Sequence, residues 1–350
     1  KNTRLRTPRG CHGINGNQRL WIFMGSESSD DFPLVSLFED SVVSLKAAPK
    51  TLASANGWKV VEEILPDGCA LRWMVCEEAF SLDQTRVKLG PITSTGERHF
   101  DRLHLRAVSH QIMALVTALF PSGPVRMCML GGGGMAIPMA LLSLSDEIME
   151  VEEIHVVELH QVAIDFAEEF FGAKDPKLRV HQGDALDLVI DGRLADGKKF
   201  STFLVDVDFM RFAEVPEKFL STSFWRMTWA MLQPNGLVAV NVIGCEADGL
   251  ASLLNVALNC APSLYVGLMI EPEKVEGWTR MRPKPGVVIF GPQHLLQLLQ
   301  DLQHQNPDHP LDAEWLQERP WLQHLARDVL HDLATKSGTA GRCEWLPKMA

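Results

Sequence analysis

The chain has 350 residues, 46% of them hydrophobic and 22% charged, with a formal net charge of -11. This is an ordinary globular composition, long enough for one large α/β domain with an appendage or for two domains. The acidic balance argues against gripping nucleic acid through phosphates and suits a small-molecule ligand or a basic protein partner. No apolar run approaches the roughly 20 residues that span a bilayer. The seven scattered cysteines form no Cys-x-x-Cys, which suggests a reducing compartment and no zinc site.

Residues 1 to 56 are poorly periodic and read as an irregular arm, with Trp21-Ile22-Phe23-Met24 as an isolated strand candidate. Lys1, Arg4, Arg6, Arg9 and Arg19 precede the first acid, Glu27, a pattern shared by organelle transit segments and plain basic tails. The corresponding expectation is a soluble intracellular protein, cytoplasmic or in a mitochondrion or plastid. Residues 57 to 100 read as a small β-hairpin unit. Within it Trp58 to Ile64 and Ala70 to Val75 are extended runs joined through Pro66-Asp67-Gly68, a turn-forming set.

Residues 101 to 292 read as one Rossmann-like domain. Asp101 to Phe120 has a helical period and is stopped by Pro121 and Gly123. A short apolar strand, Val125 to Leu130, runs into four glycines, Gly131 to Gly134, where backbone without Cβ can approach a ligand closely. The helical pattern that follows places a helix N-terminus beside the turn. The next strand, Ile154 to Val157, ends at Glu158, about 25 residues on, where an acid can accept hydrogen bonds from ribose hydroxyls. A third strand reaches Gly183-Asp184-Ala185 and a fourth reaches Asp206-Val207-Asp208.

All these polar residues follow the carboxyl ends of strands, where open α/β sheets bind ligands. Each also has a plainer reading. The glycines form a tight turn, Glu158 is a solvated strand-end acid, Asp184 is a helix N-cap, and Asp206 is a cap or a hydrogen-bonded acid. The histidines offer no convincing metal pair. The strict spacing Gly-x-Gly-x-x-Gly of dinucleotide sites is unmet, because Ala136 after Gly131-x-Gly133, or Ile137 after Gly132-x-Gly134, stands where the third glycine is needed.

Beyond these, Phe219 to Leu232 is an aromatic helix ended by Pro234-Asn235-Gly236, and Leu237 to Val242 is a fifth apolar strand. Gly249 to Cys260 is a further helix, and the runs Leu264 to Ile270 and Gly286 to Phe290 read as an antiparallel pair. Residues 293 to 350 read as a helical, tryptophan-bearing extension. The expected architecture is α/β: a mostly parallel sheet with helices on both faces, a small antiparallel β unit before it and a helical tail after it.

The order of glycine turn, Val157-Glu158-Leu159, Gly183-Asp184-Ala185 and Asp206-Val207-Asp208 resembles the spermidine-synthase-like branch of the class I S-adenosylmethionine-dependent methyltransferases. Within that branch it looks most like the corresponding domain of the elongation-factor dual methyltransferases. The resemblance implies methyl transfer from S-adenosylmethionine to a protein amine. It implies that Gly131, Gly132, Gly133 and Gly134 back the methionyl group, Glu158 holds the ribose, and Asp184 and Ala185 lie at the adenine edge. Asp206 and Asp208 are the implied catalytic residues, and no metal is implied.

Spermidine synthases carry Gly-Gly-Gly-Asp-Gly-Gly and Asp-Ser-Ser-Asp. Here Gly134-Met135-Ala136 and Phe209 stand at the corresponding places, so aminopropyl transfer is the least favoured activity. Met135 also departs from a Gly-x-Gly-x-Gly register, which keeps a catalytically silent subunit of an oligomer or larger assembly as the alternative.

Overall fold

In the computed structural model the described residues are 48–77, 82–105, 107–119, 123–144, 149–194, 197–207, 217–242, 247–262, 265–270, 287–292 and 345–346. The expected strand at Trp21 to Met24 and the helical extension from 293 lie outside them, except that Trp345–Leu346 is a two-residue strand. Asp208 lies outside them as well.

The first sheet holds β1 (Lys50–Ala55), β2 (Trp58–Ile64), β3 (Ala70–Cys76), β4 (Leu82–Leu89) and β5 (Phe100–Asp101), antiparallel in that order. The β1–β2 hairpin turns through Asn56 and Gly57, at φ +50° and +77°. These are the residues that a two-residue turn with positive φ at both positions selects. The β2–β3 turn closes through Gly68, whose N–H donates to the Leu65 carbonyl.

Asp101 opens no helix. Phe100 and Asp101 pair with Leu89 and Lys88 of β4, and α1 begins later, at Val108–Leu119. The apolar period that starts at Leu103 therefore spans a loop before it enters the helix.

The second sheet is built from β6 (Val125–Leu130), α2 (Ala136–Leu144), β7 (Val151–Glu158), α3 (Gln161–Phe170), β8 (Leu178–Gln182), α4 (Ala185–Ile190), β9 (Phe200–Val205), α5 (Thr222–Met231), β10 (Leu232–Asn241) and α6 (Ala247–Cys260). An antiparallel pair follows, β11 (Tyr265–Ile270) and β12 (Val287–Pro292), and β13 (Trp345–Leu346) joins the edge. The strand order is β13-β11-β12-β10-β9-β6-β7-β8, with the run β10-β9-β6-β7-β8 parallel. Pro234-Asn235-Gly236, expected as a helix-ending turn, forms a register shift inside β10 between Leu232 and Leu237.

Successive side chains of the central strands enter opposite cores, as a sheet covered on both faces requires. Met127 and Met129 of β6 join a cluster with α1, α2, α3 and the first sheet, while Cys128 and Leu130 join one with α4, α5 and α6. The chain runs β6, β7, β8 outward in one direction and then returns to place β9 on the other side of β6. The sheet thus reverses its winding between β6 and β9, and the strand ends there border the crevice where such sheets receive ligands.

Candidate functional site

The turn after β6 is held from three sides. Gly131 takes φ +85°, and a Cβ there would overlap the Asp206 carbonyl oxygen, so the β6 and β9 strand ends meet backbone to backbone. The Gly131 N–H donates to the Val157 carbonyl at 2.9 Å. Glu158 Oε2 accepts from the Gly132 and Gly133 N–H groups at 3.1 and 2.9 Å, and Oε1 accepts from the His160 N–H at 3.0 Å. The Gly134 N–H donates to Thr85 Oγ1 of β4 at 2.7 Å, which ties the first sheet to the turn.

Met135, the bulky departure from the glycine register, stands at φ +62° and is fully buried. Its thioether lies on the core side: a Cβ on Gly132 would come within 2.8 and 2.9 Å of Met135 Cε and Sδ and 2.6 Å of Val156 Cγ1. Gly131 and Gly133 keep partly exposed backbone. The crevice behind the turn, lined in part by Val87, Phe100, Met135 and Met139, leaves about 10 Å³ of free space. That is room for about one water.

The other sequence candidates reach the same edge. Asp184 caps α4 through a 2.9 Å bond from the Leu186 N–H to Oδ1, while Oδ2 pairs with Lys218 Nζ at 2.9 Å. Burial would raise the Asp184 carboxyl, but Lys218 and the Leu186 N–H outweigh it and hold the group below the usual range. Ala185 is half-buried and opens α4, and Leu159 beside Glu158 is 54% exposed.

Asp206 forms a cluster that the sequence reading missed. Its Oδ2 lies 3.0 Å from His110 Nε2 of α1, and its Oδ1 accepts from Asn241 Nδ2 of β10 at 2.7 Å. Burial pushes the Asp206 carboxyl up, and the His110 charge with both hydrogen bonds more than reverses this, so it sits below its ordinary value. The same pairing overcomes burial at His110 and raises the imidazole. Asn241 was discoverable as another polar strand end. His110 carried no local signal, since one histidine in an apolar helix reads as packing.

A carboxylate has about four acceptor sites, two on each oxygen. Among the described residues, the partners of Glu158 leave one position, on Oε1, and those of Asp206 leave one on each oxygen. Among the described residues no group of three or more His, Cys, Asp or Glu is placed to hold a metal, and no helix is long and apolar enough to cross a membrane.

A small antiparallel sheet ahead of a mixed sheet with helices on both faces, carrying a glycine turn and acids at its carboxyl edge, defines the class I methyltransferase fold shared with spermidine synthases. No protein-family model matches the chain. A probable spermidine synthase from Corynebacterium glutamicum superposes with a TM-score of 0.50 at 16% identity, covering 87% of this chain and 99% of that one. Human methyltransferase-like protein 13, solved with S-adenosylhomocysteine, gives 0.42 at 22% identity over 65% of this chain and 92% of that one. In sequence, the eEF1A lysine and N-terminal methyltransferase of Danio rerio is 26% identical over 226 residues, 60% of this chain. The match spans about a third, 32%, of that relative's length.

Proposed function

We propose that this chain binds an S-adenosyl ligand and transfers its methyl group to an amine on a protein. The observation that most supports this is the meeting of the glycine turn with Asp206 where the sheet reverses its winding. The residues fit such a ligand. Gly131 and Gly133 offer backbone without side chains, Glu158 Oε1 has a position for a ribose hydroxyl, and Asp184 with Ala185 borders the adenine side. The bound group would supply an already activated methyl.

The protein's own work is then positioning and charge stabilisation. Asp206 supplies a fixed negative charge at this edge, which favours the approach of an ammonium group. His110 and Asn241 fix its orientation. The Danio rerio relative, by its name an eEF1A lysine and N-terminal methyltransferase, supports an amine of that kind as acceptor. Isothermal calorimetry with S-adenosylhomocysteine tests the reading: measurable binding is expected, and no heat at millimolar ligand overturns it.

A second reading, a silent methyltransferase-fold subunit retained for assembly, draws on a specific observation. The N–H groups of Gly131 to Gly134 are all paired inside the protein. It predicts that Asp206→Asn leaves cellular function and co-purifying partners unchanged. An assay with putrescine and the decarboxylated donor decides the less favoured aminopropyl transfer.

A further inference from the structure

We infer that His110 is the proton acceptor for the substrate amine, oriented by Asp206, which Asn241 in turn holds in place. This rests on the methyl-transfer reading above and assigns to that site a residue from α1, a part of the chain that carries none of the strand-end motifs.

The first support is geometric. Nε2 of His110 lies 3.0 Å from Asp206 Oδ2, and the opposite carboxylate oxygen is bound by Asn241 at 2.7 Å. An imidazole whose one nitrogen donates to a fixed carboxylate has its tautomer set, which leaves Nδ1 as the basic nitrogen. The arrangement of base, orienting acid and a further group holding the acid is the one that general-base catalysis uses. The pair also stands beside the glycine turn, since the backbone of Asp206 packs directly on Gly131.

The second support is the setting. Helix α1 packs against α2, β10 and β12. None of these four elements contributes another charged or titratable side chain. Asp206 is thus the charged group that His110 faces among the described residues. An ion pair in apolar surroundings is weak evidence for stability, because desolvation offsets much of the attraction. The pair is also not sealed: the two side chains keep 18% and 14% exposure, so a proton can reach and leave them.

The chemistry requires such a group. A lysine or N-terminal amine is largely protonated at neutral pH, and an ammonium has no lone pair with which to attack. One N–H proton passes to Nδ1 of neutral His110, giving an imidazolium paired with the Asp206 carboxylate. The freed lone pair forms the new N–C bond while the C–S bond breaks and its electrons go to sulfur. The positive charge of the donor ends on the methylated amine. The carboxylate makes His110 more basic than burial alone would, as Asp206 outweighs desolvation. It also keeps the imidazolium bound once formed.

The test uses the full chain, Asp206→Asn and His110→Gln, with eEF1A as the acceptor. In wild type, NMR titration of the His110 imidazole gives a value above that of a free imidazole, and kcat/KM rises with pH through the same value. In Asp206→Asn both move to lower pH together, because the carboxylate charge that raises the imidazole is gone. His110→Gln can still donate to Asp206 but cannot take the proton, so kcat falls about 100-fold or more. Its affinity for S-adenosylhomocysteine stays at the wild-type value. A variant His110→Gln that transfers methyl as fast as wild type overturns the inference. So does an acidic limb that stays put in Asp206→Asn while the imidazole titration moves, and so does wild type that binds the ligand yet does not methylate eEF1A at any pH. Calorimetry on the same samples keeps the failures apart: loss of ligand binding by wild type defeats the proposed function, whereas intact binding with an unmoved limb defeats only the role of His110.

Discussion

Replacing Glu158 by alanine removes the acceptor of three backbone N–H groups at once, those of Gly132, Gly133 and His160. Hydrogen bonds to a charged group are each worth about 1.5–3 kcal/mol, and a buried donor left without a partner costs about 1–3 kcal/mol. Gly132 is buried and pays that cost in full, whereas Gly133 is partly exposed and His160 exposed, so water can replace the acceptor there. Glu158→Ala should therefore lose about 2–4 kcal/mol, less than the sum of three bonds. Glu158→Gln keeps one carbonyl oxygen for Gly132 and Gly133 and turns its amide toward His160, and should lose about half as much. Urea unfolding with an unchanged slope is the assay. If Glu158→Ala lies within about 0.5 kcal/mol of wild type, the carboxylate does not hold the turn. Equal losses in the two variants would show that charge rather than acceptor count governs the site.

Three further outcomes follow from the same structure. Glu153 binds His155, Arg179 and the buried Arg126, and these hold its carboxyl down from 4.5 to about 2, with the His155 hydrogen bond the largest influence. Its contribution is fully present above about pH 4.5 and is lost as pH falls toward 2. With its side chain 19% exposed, this amounts to about 2–3 kcal/mol, and Glu153→Gln should flatten the acid limb of a stability–pH curve. Gly131→Ala combines positive φ with overlap on the Asp206 carbonyl, so a loss of about 3 kcal/mol or more is expected in thermal unfolding. Thr85→Val keeps the shape of the side chain but takes the acceptor from the buried Gly134 N–H; denaturant unfolding should show a loss of about 1–3 kcal/mol.

Much of the architecture was legible because a parallel sheet writes its strands as short apolar runs closed by polar residues. The runs Val125 to Leu130, Ile154 to Val157 and Phe203 to Val205 show it, although β7 and β9 each begin three residues earlier, and the structure places Gly131–Gly134, Glu158, Asp184 and Asp206 along one edge. What escaped was set by contacts distant in sequence. Asp101 was read as helical because local periodicity cannot see its pairing partner on β4. Thr85 and His110 gain their roles from strands that lie far along the chain. By contrast β1, placed within the irregular arm, was recoverable, since Asn56-Gly57 is a strong hairpin signal between Ala55 and Trp58. Asp184 shows why motif and plain readings need not compete: it caps α4 while keeping acceptor capacity at the edge.

The Thr85 bond to Gly134 has a consequence for how far the chain can be shortened. Trp58, Val60, Met74, Val87 and Leu89 of the first sheet share one apolar core with Met129, Met135 and Phe171. A truncated protein beginning at residue 107 would bare that wall to water and leave the amide of Gly134 unanswered. The leading strands are thus foundation rather than ornament, and an isolated fragment carrying the second sheet is a poor surrogate for the whole.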